Sequence, residues 1–452
     1  MTASTTSLRE FPTIAGHLFA GCLPRMRSDP LGFYTQLRRE HGDYVRLRMV
    51  PHYFGLLLTH PDAVEHILHK NHANYVKPKL FYTSVGLLVG DGLFTSFGET
   101  WRTQRRLVQP AFHSQFLSVL APLMVESADI FVRDFSSRAG RPIDMLQAMM
   151  RVTLRIAGTT LFSADISGDA DAVGAAFRVA FRYISKRINS TQIVPPWMPT
   201  NANRQFARVK KFLDEFVAGL ISARRKSNQK PNDLLTMLID ARDEVTGQGM
   251  SDRRIMDEAL TFLTGGHENV GAALSWTWYL LALHPEIQEQ AHDEVRARLG
   301  GRNPTADDVP HLPLLAAIFQ ESMRLYPPGW GELRQNLEAD EIAGYPIKPK
   351  TLIVLCQWVT HRHPNFWTDP EKFDPSRFLS GPLKHRFAYF PFGGGPRICI
   401  GMQMTLLEGP LVLATILQHY RLEIVPDHPV VPDPTFTLRP KHGVKVILHV
   451  RS

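Results

Sequence analysis

Helical periodicity dominates the apolar residues from about Met124 to Leu283, broken only at Pro195-Pro196 and over the polar run Lys226 to Asn232, which predicts a solvated loop around Pro231. Ser251 is placed to cap a helix that continues to Leu283 and stops at His284-Pro285. At about 1.5 Å per residue this helix would be roughly 50 Å long. Beyond its charged first turns it is apolar on nearly every face, which predicts burial. Tyr44 to Met49 and Tyr53 to Thr59 read as two strands of a hairpin around Pro51, with a helix opening near Pro61. The front of the chain, about 24–75, is therefore expected to be β-rich, and about 76–425 to be a helical body. Phe436 to Arg439 and Val444 to Val450, around Pro440 to Gly443, predict a C-terminal hairpin over about 434–450. The fold class is mainly α with a smaller β portion.

Length and composition narrow this further. The chain has 452 residues, 44% of them hydrophobic, and no Ser/Gly-rich linker, so one large domain over 1–452 is expected. The net charge of +8 gives a moderately basic surface suited to an acidic partner. The basic residues are scattered, without an aromatic-basic stripe or zinc-finger spacing, and no nucleic acid is expected as partner. Cys22, Cys356 and Cys399 are widely separated and odd in number, which argues against a disulfide framework, a zinc knuckle and a cysteine-ligated iron-sulfur cluster, and for a reducing compartment. The longest strongly apolar uncharged stretch, Val270 to Leu283, is shorter than the roughly 20 residues that span a bilayer. Met1 to Arg9 has no apolar signal core. A cytoplasmic monomer without an integral membrane anchor is expected.

Candidate chemistry centres on Cys399, in Phe392-Gly-Gly-Gly-Pro-Arg-Ile-Cys-Ile-Gly401. Arg397 two residues away, and a helix predicted from Met402 to Tyr420 with its positive end towards the loop, both favour the thiolate, a metal ligand. Glycines would let the backbone approach a flat cofactor. A buried free cysteine in a turn is the alternative. In the long helix, Leu263-Thr-Gly-Gly-His-Glu-Asn-Val-Gly271 carries adjacent glycines costing roughly 1 kcal/mol each against alanine, which close approach to a ligand would explain. Glu321 and Arg324 lie three apart on one helix face, with apolar neighbours that imply burial, and Arg377 could complete a buried network. Trp101 and Arg105 stand four apart on another helix. His267-Glu268 lacks the second histidine of a zinc protease, Gly90-x-Gly92 lacks the third glycine of a dinucleotide fingerprint, and Gly266 to Gly271 is not followed by a phosphate-loop lysine.

The cysteine loop resembles the haem-binding signature of the cytochrome P-450 family: Phe392, Gly395, Arg397, Cys399 and Gly401 fall on its five fixed positions. The resemblance covers about Pro24 to Val450. It implies the P-450 fold, a triangular helical body around a buried haem b, with O2 as cosubstrate and Cys399 as axial ligand of the iron. A thiolate ligand pushes electron density onto haem iron and favours O–O cleavage. By the same resemblance Phe392 and Gly393 lie against the cofactor, Trp101, Arg105, Arg334 and Arg397 reach its propionates, and Glu321, Arg324 and Arg377 form a structural network. Glu268 matches the acid that relays protons, but the usual threonine after it is Asn269, whose amide donates and accepts without readily passing a proton. Pocket residues would include Phe81, Leu88, Phe177, Phe262, Leu263, Gly266, Trp330, Leu333 and Phe436, an apolar wall suited to a terpene, fatty acyl or polyketide substrate. No nucleotide or flavin motif is visible, so electrons are expected from a ferredoxin and ferredoxin reductase or a similar donor, docking on a basic face near Arg102, Arg106, Lys384 and Arg386. Lacking a recognisable anchor helix, the chain looks like a bacterial member. The implied function is a monooxygenase that hydroxylates or epoxidises. A peroxide-driven or non-oxygenating enzyme performing rearrangement or dehydration is a second reading, and a haem-based binding or sensing module a third.

Overall fold

Val45, Leu47 and Met49 alternate with Arg46 and Arg48 along the strand Tyr44–Val50, so one face of it is buried. In the computed structural model, which describes residues 9–451 except 138, 189, 191–193 and 243–246, this strand joins a six-stranded sheet. The described residues form two compact units. The first comprises the chain up to Phe81, Arg324–Lys372 and Pro382–Cys399. Its sheet runs in the order Thr13–Ile14, Tyr44–Val50, Tyr53–Leu58, Leu352–Leu355, Glu332–Asn336, Tyr75–Val76. The expected hairpin is present, with Tyr44 opposite Leu58.

Phe33, Tyr34 and Leu37 of the helix Pro30–His41 pack with Val45, Leu47, Met49 and Leu57 in one core cluster. Leu56 and Leu58 belong to another, with Leu68, Phe387 and Phe390, the last two just ahead of the cysteine loop. The loop is thus rooted in a rigid apolar cluster. The β-rich front needs correction, because helices Leu23–Ser28 and Pro30–His41 precede the hairpin. Asp29 caps the second of these, accepting from the amide of Gly32, and Pro30 opens it. Strands Glu332–Asn336 and Leu352–Leu355 likewise interrupt the stretch expected to be helical.

The second unit, Tyr82–Met323, Phe373–Gly381 and Ile400–Ser452, is mostly helical. Its centre is the helix Asp252–Leu283, capped by Ser251, whose Oγ accepts from the Arg254 amide at 3.3 Å. Residues on nearly all its faces are buried, as the sequence predicts. It packs against Met145–Phe162, Asn201–Lys226 and Met402–Leu417. The loop expected from Lys226 follows the end of the Asn201–Lys226 helix.

The expected C-terminal hairpin is not formed. Leu438–Pro440 pairs back onto Pro432–Pro434, while Lys445–Val450 pairs with Tyr420–Ile424 on one side and Pro142–Asp144 on the other. Proximity in sequence suggested the wrong partner, and strands from further away compete successfully for the same edge. The helix Ser114–Ser136 is also apolar, though it carries charges at Glu126, Asp129, Arg133 and Asp134. Among the described residues it alone is long and apolar enough to cross a membrane by length and composition, and it packs on Met145–Phe162 and Met402–Leu417. The stretch Met1 to Arg9, read for a signal core, lies outside the described residues except for Arg9.

Candidate active site

Of the three cysteines, Cys399 alone is exposed. Burial pushes the Cys356 thiol up to about 12 and raises that of Cys22, so neither is suited to act as a thiolate. The Cys399 loop is closed by its own amide, which donates to the Phe392 carbonyl at 2.9 Å, and by the Ile398 amide donating to Gly395. Gly395 has φ +64°, and a Cβ there would lie 1.7 Å from the Leu68 carbonyl oxygen. Gly393, at φ +72°, passes so close to Glu332 that a Cβ would sit 2.8 Å from its Oε1. These glycines are required by close approach, beyond any need for flexibility.

Arg334 lies in the middle of the strand Glu332–Asn336, largely buried, and donates to Glu332 Oε2 at 2.7 Å, while Gln357 donates to Glu332 Oε1 at 3.0 Å. A residue absent from the sequence reading joins it. Val76 pairs with Gln335, so the next residue, Lys77, is brought beside Arg334. Protein crowded around the Lys77 ammonium, together with Arg334 and Arg397, pushes its pKa well below the ordinary lysine value, with Glu332 opposing. Two arginines and a lysine crowded so that they oppose one another's charge suit a ligand carrying further carboxylates. Nothing in the sequence near Lys77 signalled this placement, which follows from the pairing of a two-residue strand. In the second unit Trp101 and Arg105 stand one turn apart on the helix Gly98–Val108, both partly exposed, while Arg102 and Arg106 face solvent as expected.

The centre of the long helix has one open face. Gly265 is exposed within the buried middle of the helix, and a Cβ on it would meet nothing within 4 Å. Gly266 is different, since its Cβ would touch Leu161 Cδ1 at 3.4 Å. The neighbouring Glu268 is buried and pairs with Arg439, Nη1 to Oε1 at 3.4 Å. Burial raises its pKa, with Arg439 and Arg178 pulling it back. Asn269 Oδ1 accepts from the Thr437 hydroxyl at 3.1 Å. The His267 carbonyl accepts from Thr153 Oγ1 at 3.0 Å, and burial pushes its imidazole down to about 3, so the ring is neutral.

Aromatic rings extend from this helix. His267 lies 5.4 Å from Phe177, Phe177 5.8 Å from Phe181, and Phe181 stacks on Phe436 at 5.1 Å. Phe94, 37% exposed, meets Phe436 edge-on. Phe262 packs on Phe112 at 5.4 Å, and Leu88 and Leu263 are fully buried. Phe81 is partly exposed at the end of the first unit. In the first unit Trp330 and Leu333 pack against the core around Phe33 and Val354.

Within the second unit Glu321 Oε1 pairs with Arg377 at 3.3 Å and accepts from the Asp374 amide at 3.0 Å. Within the first, the fully buried Arg324 donates to the carbonyls of His361, Pro370 and Lys372, and its guanidinium lies 5.0 Å from the Trp367 ring. Backbone carbonyls satisfy Arg324 and hold the chain leading towards the cysteine loop.

The cytochrome P450 family model matches residues 12–448, and the chain belongs to that family. It is similar to cyclooctat-9-en-7-ol 5-monooxygenase of Streptomyces melanosporofaciens, 33% identical over 88% of this chain and 86% of that protein. It is also similar to cyclooctatin synthase of the same organism, 34% identical over 94% and 91%, and to pentalenene oxygenase of Streptomyces avermitilis, 30% identical over 97% and 96%. Among solved structures, the cytochrome P450DA heme domain superposes with a TM-score of 0.89 at 28% identity, covering 98% of each chain. The chain is an oxidoreductase of the P450 type, and membership carries with it haem iron and the use of O2. Within the first unit the residues present fit such a group: one exposed thiol and a basic cluster suited to carboxylates.

Proposed function

We propose that this chain is a single-domain haem-thiolate monooxygenase that inserts one atom of O2 into a hydrophobic small molecule, by hydroxylation or epoxidation. Haem b would supply the oxygen activation, with Cys399 as its axial ligand. Arg334, Arg397 and Lys77, with Trp101 and Arg105, would hold the propionates, and Phe392 and Gly393 would line the cofactor. Glu268 carries the reading: a buried carboxylate with a raised pKa, next to the open face of a buried helix, is placed to hold and hand on protons. Asn269 positions a donor beside it. Glu321, Arg324 and Arg377 serve the fold.

A terpene is the favoured substrate class. Phe177, Phe181 and Phe436 stack into an apolar aromatic array beside the long helix, which suits a hydrocarbon skeleton. The relatives named for cyclooctatin and pentalenene support the same class. Electrons would come from a ferredoxin and its reductase, drawn to exposed basic side chains such as Arg102, Arg106, Lys384 and Arg386. We read the enzyme as a cytoplasmic monomer.

The test is an optical titration of the ferric protein with terpenes, fatty acids and macrolide-like compounds, followed by turnover with O2 and a ferredoxin system. A terpene should move the Soret band to the high-spin position and yield one oxygenated product. Cys399→Ser should lose the thiolate signature in the reduced carbon monoxide spectrum. Product formed with peroxide but not with O2 and reductase would replace this reading with the peroxide-driven one.

A further inference from the structure

The pair Pro432–Pro434 and Leu438–Pro440 lies against the long helix through three successive residues. Thr437 donates to Asn269, the Leu438 carbonyl accepts from Trp276 Nε1 at 3.1 Å, and Arg439 donates to Glu268. Thr437 lies in the bend just before the strand and Arg439 within it; both reach the helix, and the Leu438 side chain between them is buried. Trp276 lies seven residues beyond Asn269, two turns along the same stripe, and fixes the height of the strand on the helix.

We propose that Thr437 and Arg439 are the positioning residues of Asn269 and Glu268, so that the C-terminal strand supplies the hydroxyl and the counter-charge that organise this part of the helix. The inference rests on the reading of Glu268 and Asn269 given above. A carboxamide has an accepting and a donating end. The Thr437 hydroxyl occupies the accepting end, so Asn269 has its NH2 group to offer a ligand or an ordered water. Thr437 thus brings a hydroxyl within 3.1 Å of Asn269 Oδ1, whose own side chain carries none. Arg439 acts on Glu268 by charge. The ion pair is almost dry, with side-chain exposures of 11% and 4%. The other charge that reaches Glu268 is Arg178 on the helix Ala170–Ile188, and its neighbour His267 is neutral. Without Arg439 the carboxylate loses its nearest counter-charge in a buried site and takes up a proton.

The experiment uses the haem-loaded protein. The carboxyl stretch of Glu268 is titrated by infrared difference spectroscopy, with Glu268→Gln as the blank, in wild type, Arg439→Met and Arg439→Lys. Arg439→Met should raise the Glu268 midpoint by roughly 1–3 pH units, the span an opposite charge at this distance controls, and Arg439→Lys should restore most of it. In parallel, Thr437→Val should lower product formed per O2 consumed and raise peroxide release several-fold with the ferric spectrum unchanged, and Thr437→Ser should restore coupling. An unmoved Glu268 midpoint in Arg439→Met, or full coupling in Thr437→Val, overturns the corresponding half of the proposal. Should Arg439→Met fail to fold, Arg439→Gln decides: a midpoint unchanged there removes the charge argument. Wild-type coupling in Glu268→Gln would instead sink the relay reading, leaving the infrared result to stand by itself.

Discussion

The same substitution should act with opposite sign at two glycines. In Gly395→Ala the new methyl would lie 1.7 Å from the Leu68 carbonyl oxygen and 2.8 Å from its carbon, both backbone atoms of a packed segment. Relief requires a backbone shift of well over an ångström, and the positive φ adds about 1–2 kcal/mol for any residue with a Cβ. With the distortion of the loop, a loss of about 3–5 kcal/mol is expected, a large part of the 5–15 kcal/mol typical of folded proteins. In Gly265→Ala the methyl meets nothing within 4 Å, and alanine gains about 0.5–1 kcal/mol over glycine inside a helix. The assay is guanidinium unfolding followed by circular dichroism, with haem content measured alongside. Gly395→Ala should unfold at markedly lower denaturant and bind little haem. Gly265→Ala should keep or gain backbone stability while weakening haem or substrate binding, because the methyl fills the open face. Equal midpoints for the two variants would refute both the close approach at Gly395 and the open face at Gly265.

Arg324→Met should cost about 3–5 kcal/mol, since it removes a fully buried guanidinium and strips the buried His361 carbonyl and the part-buried carbonyls of Pro370 and Lys372 of their donor, and a urea midpoint measured against Arg377→Met would separate it from the more exposed pair. Asp43 should contribute an acid limb to stability. Burial opposes its ionisation, but His363, the Thr59 hydroxyl and Arg38 outweigh it and hold its pKa at about 2. Because the folded pKa lies below the unfolded one, the contribution of about 2 kcal/mol is complete above about pH 4 and lost as pH falls towards 2. Asp43→Asn should flatten that part of a stability-versus-pH curve. Phe181→Ala should enlarge the apolar wall beside Phe436, admitting bulkier ligands in the spin-shift titration with weaker binding of the best natural one.

Local signals carried much of this molecule. Ser251, the uninterrupted apolar run and His284-Pro285 marked the long helix to the residue, because a cap, a periodic face and a proline stop act within a few positions. The cysteine loop was legible for the same reason: its glycines, arginine and thiol are consecutive. The helix Pro30–His41 was missed although Asp29 and Pro30 open it in the usual way. Its amphipathic face is short, and the adjacent strand pattern drew the reading.

What depended on distant partners was not legible. Lys77 joins Arg334 because Val76 happens to pair with Gln335, a register that the whole six-stranded sheet decides. Leu438–Pro440 turns back on Pro432–Pro434, and Lys445–Val450 pairs with Tyr420–Ile424, because strand pairing is settled by competition among all available edges. Arg439 and Glu268 are 171 positions apart, and nothing near either residue names the other. The sequence by itself determined the family, the thiol, the acid and the element that carries it, each written in neighbouring residues. Only the tertiary structure decided which charges and hydroxyls surround that acid, since those contacts exist only once a C-terminal strand has been packed onto the buried helix.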